Sequence, residues 1–137
     1  MVTEKHSIIN LMLTMILGLF LLQGCATEEQ NRKMDETLNL YASTIRWSDF
    51  LGARMFYDSP TLYQDVNFDK IKTIKVTGYD AKDVQSLKGG QQIRQNVVIR
   101  YYDTNVGSEH QLIDHQVWNY NEDKEVWLLS SKMPAFN

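Results

Sequence analysis

An apolar run lies close to the amino terminus of this chain of 137 residues and decides where its folded domain can begin. Ile8 to Leu22 are 15 residues, mostly Ile, Leu, Met and Phe, and they follow a short polar start that contains Lys5. A membrane-spanning helix needs about 20 apolar residues. This run is shorter, and a charged start before a run of this length is typical of a secretory signal peptide.

The apolar run closes with Leu22-Gln23-Gly24-Cys25, and Cys25 is the single cysteine of the chain. This ending resembles the lipobox of bacterial lipoproteins. In that family the thiol receives a diacylglyceryl group, the preceding peptide is removed, and the new amino terminus is usually acylated by a chain such as palmitate. The resemblance implies that Cys25 is lipidated. A buried thiol or a catalytic nucleophile is the alternative, but a nucleophile needs a base held nearby on a rigid scaffold.

The residue after the cysteine indicates the destination of the protein. In Gram-negative lipoproteins an aspartate at that position resembles the inner-membrane retention signal, and here the residue is Ala26. The resemblance therefore implies a lipid anchor in the bacterial outer membrane, on its periplasmic face. We expect a removed signal peptide over residues 1–24, the lipidated cysteine and a tether over 25–33, and a single α+β domain over 34–137.

The charge balance limits the possible partners. The chain has 14 basic and 17 acidic residues, which give a formal net charge of −3. Nucleic-acid binding needs a concentrated basic surface, so we expect no nucleic-acid partner. The expected partners are the membrane, through the lipid anchor, and another protein or a second copy of the chain. No second cysteine exists to form a disulfide, so packing must stabilise the fold.

The first half of the expected domain has helical spacing. Met34, Leu38, Tyr41 and Ile45 recur at intervals of four, three and four residues, which predicts one helix. Thr27-Glu28-Glu29-Gln30 has the pattern of a capping box at its start. Ser48 or Asp49 can cap a short second helix that carries Phe50, Leu51, Ala53 and Phe56. Asp58-Ser59-Pro60 ends that helix, because a residue before proline avoids helical backbone.

The second half reads as strands. We expect strands over Lys70 to Asp83 with a possible bulge at Gly78, Gln92 to Asp103, Glu109 to Tyr120 and Glu125 to Ser131. The turns are Lys88-Gly89-Gly90, Asp103 to Ser108 and Asn121 to Lys124. Each is too short for a crossover helix, so the last three strands should be antiparallel neighbours. Helices followed by a meander predict an α+β fold.

The order of a long helix, a short helix and four strands resembles the NTF2-like, or cystatin-like, superfamily. Tyr41-x3-Ile45-x-Trp47-Ser48-Asp49-Phe50-x2-Ala53 is similar to the helix pair of that superfamily, and Trp118 and Trp127 resemble aromatic residues of its closing strands. The resemblance implies a helix packed on a curved antiparallel four-stranded sheet that forms a cone. Proteins of this fold include isomerases, dehydratases, transport factors and secretion-system subunits, so the fold does not select a function.

Few residues are candidates for chemistry. Glu109, His110, Asp114 and His115 are close in sequence, but His110 and His115 point to opposite sides of a strand, and His110 and Asp114 are separated by ~13 Å. We interpret them as solvated strand residues and expect no metal site and no cofactor. Asp49 is the candidate acid or base of an NTF2-like cone, beside Tyr41, Tyr57 and Trp47. Helix capping is the favoured role for Asp49. Lys70, Lys72 and Lys75 fit a solvated strand edge.

The strands predict two different sheet faces. If Glu122-Asp123 is a two-residue turn, Tyr120 pairs with Glu125 and Trp118 pairs with Trp127. If the Gly107 turn also holds an even number of loop residues, the face that carries both tryptophans, called the inner face below, also carries Ile93, Val97, Ile99, Tyr101 and Leu112. This face then packs on Met34, Leu38, Tyr41 and Ile45. A shift of one residue would exchange the two faces.

The opposite face, called the outer face below, is unusually apolar for a solvated sheet face. It carries Arg94, Val98, Arg100, Tyr102, Ile113, His115, Val117, Val126 and Leu128. Tyr and Arg are enriched where proteins dock, so this pattern predicts a surface for another protein or a second copy. Covering by the tether or by Thr61 to Asp69 is the alternative. We expect a non-enzymatic interaction module of an envelope or secretion complex; the alternative is a small-molecule carrier or a lyase or isomerase with a cone pocket.

Overall fold

The computed structural model of the chain describes residues 2–136, with side chains described for His6, Ile8, Ile9, Met12 and residues 24–136. The chain divides into two compact units, Met1–Asp35 and Glu36–Asn137. One helix, α1 (Val2–Arg46), supplies all of the described part of the first unit and the start of the second. Within the described residues, no helix has a stretch long and apolar enough to cross a membrane.

The expected helix start at Thr27-Glu28-Glu29-Gln30 is wrong, because α1 passes through these residues without a break. Helix α1 contains no proline, and its helix-breaking residues are two well-separated glycines, Gly18 and Gly24. One glycine costs a helix about 1 kcal/mol, which does not end a helix rich in good helix formers. Glu29 therefore does not act in a cap. Its carboxylate accepts a 2.6 Å hydrogen bond from Arg32 one turn later.

A short second helix follows α1 as expected. α2 (Phe50–Ala53) continues as a 3-10 turn over Arg54–Phe56. Asp49 is its cap, since the side chain accepts a 2.8 Å hydrogen bond from the backbone N–H of Gly52. The hydroxyl of Ser48, the other capping candidate, instead accepts a 2.9 Å hydrogen bond from the backbone N–H of Val76.

The four strands are β1 (Ile74–Leu87), β2 (Gln92–Asp103), β3 (Glu109–Asn121) and β4 (Val126–Leu129). They form one antiparallel sheet in the order β1-β2-β3-β4, which confirms the expected meander. The expected bulge at Gly78 is confirmed by a register shift between Val76 and Gly78. The first strand begins later than predicted, because Lys70–Thr73 forms a 3-10 turn.

The fold class is α+β, with a helix packed on an open sheet. In the second unit the ring of Tyr41 lies edge-on to Trp118 at 5.2 Å and to Phe56 at 5.4 Å. Ile45, on the same helical face as Tyr41, is also fully buried. The sheet partners are the inner-face residues Ile93, Val97, Ile99 and Tyr101, which are all buried. The sheet has two edges and does not close.

The predicted pairing of β3 with β4 is wrong by two residues. Trp118 pairs with Leu129, and Trp127 pairs with Tyr120, because Glu122 to Glu125 make a four-residue connection. Glu125 has φ 51° in this connection, which ends the turn in the left-handed region. A shift of two keeps each side chain on its own face. Trp118 and Trp127 therefore share the inner face, where both are buried.

Candidate functional site

A buried polar cluster lies on the inner face of the sheet, centred on Gln116. The Gln116 side chain is 1% exposed, yet it forms hydrogen bonds with four other side chains. Its Oε1 accepts from Gln95 Nε2 at 2.8 Å and from Trp118 Nε1 at 3.1 Å. Its Nε2 donates to Asp114 Oδ2 at 2.7 Å and to the Tyr79 hydroxyl at 3.1 Å. Every donor and acceptor of this amide is therefore satisfied without water.

The orientation of the Gln116 amide follows from its neighbours. An indole N–H can only donate, so the atom that faces Trp118 must be the oxygen. An ionised carboxylate can only accept, so the atom that faces Asp114 must be the amide nitrogen. Both requirements give the same orientation. The cluster thus links three side chains of β3 with Gln95 of β2 and Tyr79 of β1.

Asp114 is the buried carboxyl group of the inner face. It is 4% exposed, and burial raises its pKa to about 6, against the lowering effects of the Gln116 hydrogen bond and the nearby His115. The interpretation of Asp114 as a solvated residue is wrong. The signal that could have placed it on the inner face is the alternation of the strand, because Asp114 is two residues from Leu112 and four from Trp118.

Two tyrosines lie near this carboxyl group. The hydroxyls of Tyr41 and Tyr57 are 3.0 Å apart and form a buried hydrogen bond. Burial raises the pKa of both phenols, and the Asp114 charge adds to the increase. Burial also raises the pKa of Tyr79. The cluster therefore keeps its phenols protonated, while burial raises the pKa of Asp114.

Asp49, the sequence candidate for an acid or base, is not part of this cluster. Its side chain is exposed and caps α2, and Trp47, expected beside it, is 82% exposed. Tyr41 and Tyr57, the other two residues of that hypothesis, do come together, but the carboxyl group that acts on them is Asp114. The favoured capping role of Asp49 is confirmed.

The two strand histidines lie on opposite faces, as the spacing predicts. His110 pairs with Tyr101 on the inner face, where the rings stack at 5.6 Å and the imidazole contacts the Ser108 hydroxyl. His115 pairs with Asn96 on the outer face. In the part of the chain that the structure describes, no three His, Cys, Asp or Glu side chains are grouped to hold a metal ion. Cys25 is exposed and has a free thiol.

The predicted outer-face residues do share one side of the sheet. Ile113 is 55% and Val126 is 39% exposed, and Arg94 and His115 are also exposed. The other members of the set are half-buried; they are Val98, Arg100, Tyr102, Val117 and Leu128. Arg100 is held in place, because its guanidinium forms a 2.8 Å ion pair with Asp80 and lies against the backbone of Gly78. A side chain at Gly78 would collide with this guanidinium.

The segment Thr61 to Asp69 packs elsewhere. Its Leu62 carbonyl accepts a hydrogen bond from the backbone N–H of Met133, and its Tyr63 ring lies 5.7 Å from the ring of Tyr57. Its Phe68 ring lies below the Arg54 guanidinium at 5.4 Å. These contacts hold the segment against the short helix and the C-terminal tail. The segment therefore does not cover the outer face, so this alternative from the sequence analysis is wrong.

Comparison of the chain with family models, with curated proteins and with solved structures gave no match. The structure itself has two features on which a function can be based. They are the buried cluster around Gln116 and the exposed outer face.

Proposed function

We propose that this protein is a lipoprotein anchored through Cys25 in the bacterial outer membrane, where it faces the periplasm as a non-enzymatic interaction module of an envelope or secretion complex. The outer face of the sheet is the proposed contact surface, and it takes another protein or a second copy of the chain. The lipobox supports the anchor, and the outer face supports the interaction. We further propose that the open sheet and helix are a reduced relative of the NTF2-like cone.

The observation that carries the proposal is the exposure of aliphatic side chains between arginines on one sheet face. Ile113 and Val126 leave 55% and 39% of their surface in contact with solvent. Val98, Val117 and Leu128 continue the apolar surface between them. Exposed apolar patches with Tyr and Arg are typical of docking surfaces, since isolated soluble proteins rarely keep them.

A second function is favoured by Asp114, and we keep it as the alternative. A buried carboxyl group with a raised pKa beside a tyrosine pair is the kind of group that a lyase or isomerase uses. One observation argues against this role. Asp114 does not line the cavity at the outer face, the cavity at the C-terminal tail or the cavity at Asp49. A substrate would need an opening in the inner face to reach it.

The test is site-specific photocrosslinking of the full-length protein in intact cells. A photoreactive residue placed at Ile113 or Val126 should give a defined adduct, and one placed at the exposed loop residue Gln64 should not. An adduct of twice the chain mass indicates a second copy, and any other mass indicates a different protein. Absence of an adduct from both outer-face positions would contradict the proposal.

A charge insertion supplies the matched comparison. Val98→Glu with Leu128→Glu places two carboxylates in the apolar outer face and should abolish the adduct at Ile113. The control, Gln64→Glu with Thr104→Glu, changes two exposed loop residues to the same side chain and should leave the adduct intact. Circular dichroism of both variants verifies that the fold is kept. A retained adduct in the outer-face variant would show that this face is not the contact surface.

A further inference from the structure

Three polar side chains form a hydrogen-bonded row across the outer face, one from each of the first three strands. Asp83 Oδ2 of β1 accepts from Asn96 Nδ2 of β2 at 3.1 Å. Asn96 Oδ1 lies 2.7 Å from His115 Nδ1 of β3. Because the carboxylate accepts, the nitrogen of the Asn96 amide faces Asp83 and its oxygen faces His115. His115 Nδ1 therefore carries a hydrogen, and in the neutral ring Nε2 is an acceptor.

The position of Asp83 in this row depends on an irregularity in β1. Asp83 and Val84 lie together opposite Gln95, between the pairs Lys82–Asn96 and Gln85–Arg94, so this part of β1 is bulged. Asp83 has φ 53°, which is in the left-handed region. A bulge changes the direction in which a side chain points, and bulges are frequent beside binding sites. Here the bulge turns Asp83 toward Asn96, and it does so at the cost of a strained backbone.

A cavity of about 310 Å³ opens beside this row. It is lined by Asp83, Gln85, Arg94, Gln95, Asn96, His115, Gln116 and Val117. The guanidinium of Arg94 forms no hydrogen bond or ion pair with any side chain that the structure describes. The same holds for Asp83 Oδ1 and for His115 Nε2. The cavity thus offers one cationic donor, one anionic acceptor and one imidazole acceptor to a ligand.

We propose that this cavity is a binding site for a small zwitterion, a free α-amino acid. Arg94 would hold the carboxylate through paired N–H donors, the geometry in which guanidinium and carboxylate match. Asp83 Oδ1 and His115 Nε2 would accept from the ammonium group, and Val117 would contact the side chain. This site takes a small molecule and does not depend on a protein partner, so it goes beyond the function proposed above.

The charges in the cavity argue for a ligand with both signs. A phosphate or other multiple anion would be held by Arg94 but repelled by Asp83 at the same wall. A simple amine would leave the guanidinium without its partner. An apolar ligand would bury the amides of Gln85 and Asn96 against a surface that cannot hydrogen-bond, which is unfavourable. The volume lies in the range of small-ligand pockets.

The test uses the full-length chain purified in detergent, with L-alanine as the probe and the His115 ring resonances as the readout. L-alanine should shift these resonances saturably with a millimolar Kd. N-acetyl-L-alanine lacks the ammonium group and L-alaninamide lacks the carboxylate, and each should bind at least tenfold more weakly. Absence of saturation up to 50 mM L-alanine, or a difference below tenfold for either analogue, would overturn the proposal.

Two variants assign the charges to residues. Asp83→Asn keeps an oxygen for Asn96 and tolerates the left-handed backbone, so it removes only the negative charge and should abolish the preference for L-alanine over N-acetyl-L-alanine. Arg94→Gln should abolish the preference for L-alanine over L-alaninamide. Lys124→Gln, at an exposed turn residue away from the cavity, is the control and should change neither preference. If Asp83→Asn and Arg94→Gln both keep the preference for L-alanine over its two analogues, the ligand binds elsewhere and the assignment is overturned.

Discussion

Trp118 Nε1 donates a 3.1 Å hydrogen bond to Oε1 of Gln116, two residues earlier on the same face of β3. The indole is 0% exposed, so no water can replace this acceptor. The bond fixes the Gln116 amide with its nitrogen toward Asp114. The largest side chain of the core therefore sets the hydrogen bonding of the buried carboxyl group.

The pH dependence of stability should report the burial of Asp114. Its pKa is raised from 3.8 to about 6 in the folded chain. Folding therefore favours the protonated form, and the resulting stability is fully present below pH 3.8 and is lost as the pH rises through about 6. A shift of this size corresponds to about 3 kcal/mol. Asp114→Asn should gain most of that amount relative to the wild type between pH 4 and pH 7, measured by urea unfolding.

The control for this experiment is Asp123→Asn, which makes the same chemical change at an exposed turn residue. Its stability difference from the wild type should stay constant over the same range of pH. If Asp114→Asn also shows a constant difference, the carboxyl group titrates alike in the folded and unfolded chains, and the proposed burial effect is absent.

Removal of the Gln116 amide should destabilise the fold strongly. Gln116→Leu leaves the buried donors of Trp118 and Gln95, and the carboxyl group of Asp114, without their partner. Each unsatisfied buried group costs about 1–3 kcal/mol, so we expect a total loss of more than about 3 kcal/mol. Gln111→Leu, on the exposed outer side of β3, should change stability by less than about 0.5 kcal/mol. Similar midpoints of urea unfolding for the two variants would refute this account of the cluster.

The sequence predicted the sheet faces better than the pairing of the strands, for a reason that Trp118 and Trp127 illustrate. The face of a strand residue depends only on whether its position is odd or even, and a connection longer by two residues does not change that. The partner of a residue depends on the full length of the turn. Glu122-Asp123 was predicted as the turn, but Glu125, in the left-handed region, belongs to it as well.

The buried cluster could also have been predicted in part. Asp114 and Gln116 alternate with outer-face residues and precede Trp118 on the inner face, and Gln95 stands between Ile93 and Val97 in β2. These positions are visible in the sequence. Their mutual hydrogen bonds are not, because they depend on the pairing of Gln95 with Gln116 across two strands. The bulge that brings Asp83 to Asn96 also left a signal in the sequence, because Lys82 and Asp83 are two polar residues in succession and break the polar and apolar alternation of this strand.

The capping role of Asp49 should be measurable by itself. Asp49→Ala removes the acceptor for the Gly52 N–H and should destabilise the fold by about 1 kcal/mol, whereas Asp49→Asn keeps an acceptor and should be nearly neutral. Urea midpoints at pH 7 compare the two. A loss of equal size in both variants would mean that the negative charge matters and that the cap is not the reason.

The lipid anchor at Cys25 is the part of the proposed function that one substitution can test. In cells grown with labelled palmitate, the wild type should incorporate label and migrate at the mass of the cleaved chain. Cys25→Ser removes the only thiol, so it should remain an uncleaved precursor without label. Ala26→Ser alters the neighbouring residue and should be processed like the wild type. If Cys25→Ser is cleaved and labelled to the same extent as the wild type, the lipobox interpretation is wrong, and the apolar run must serve another purpose.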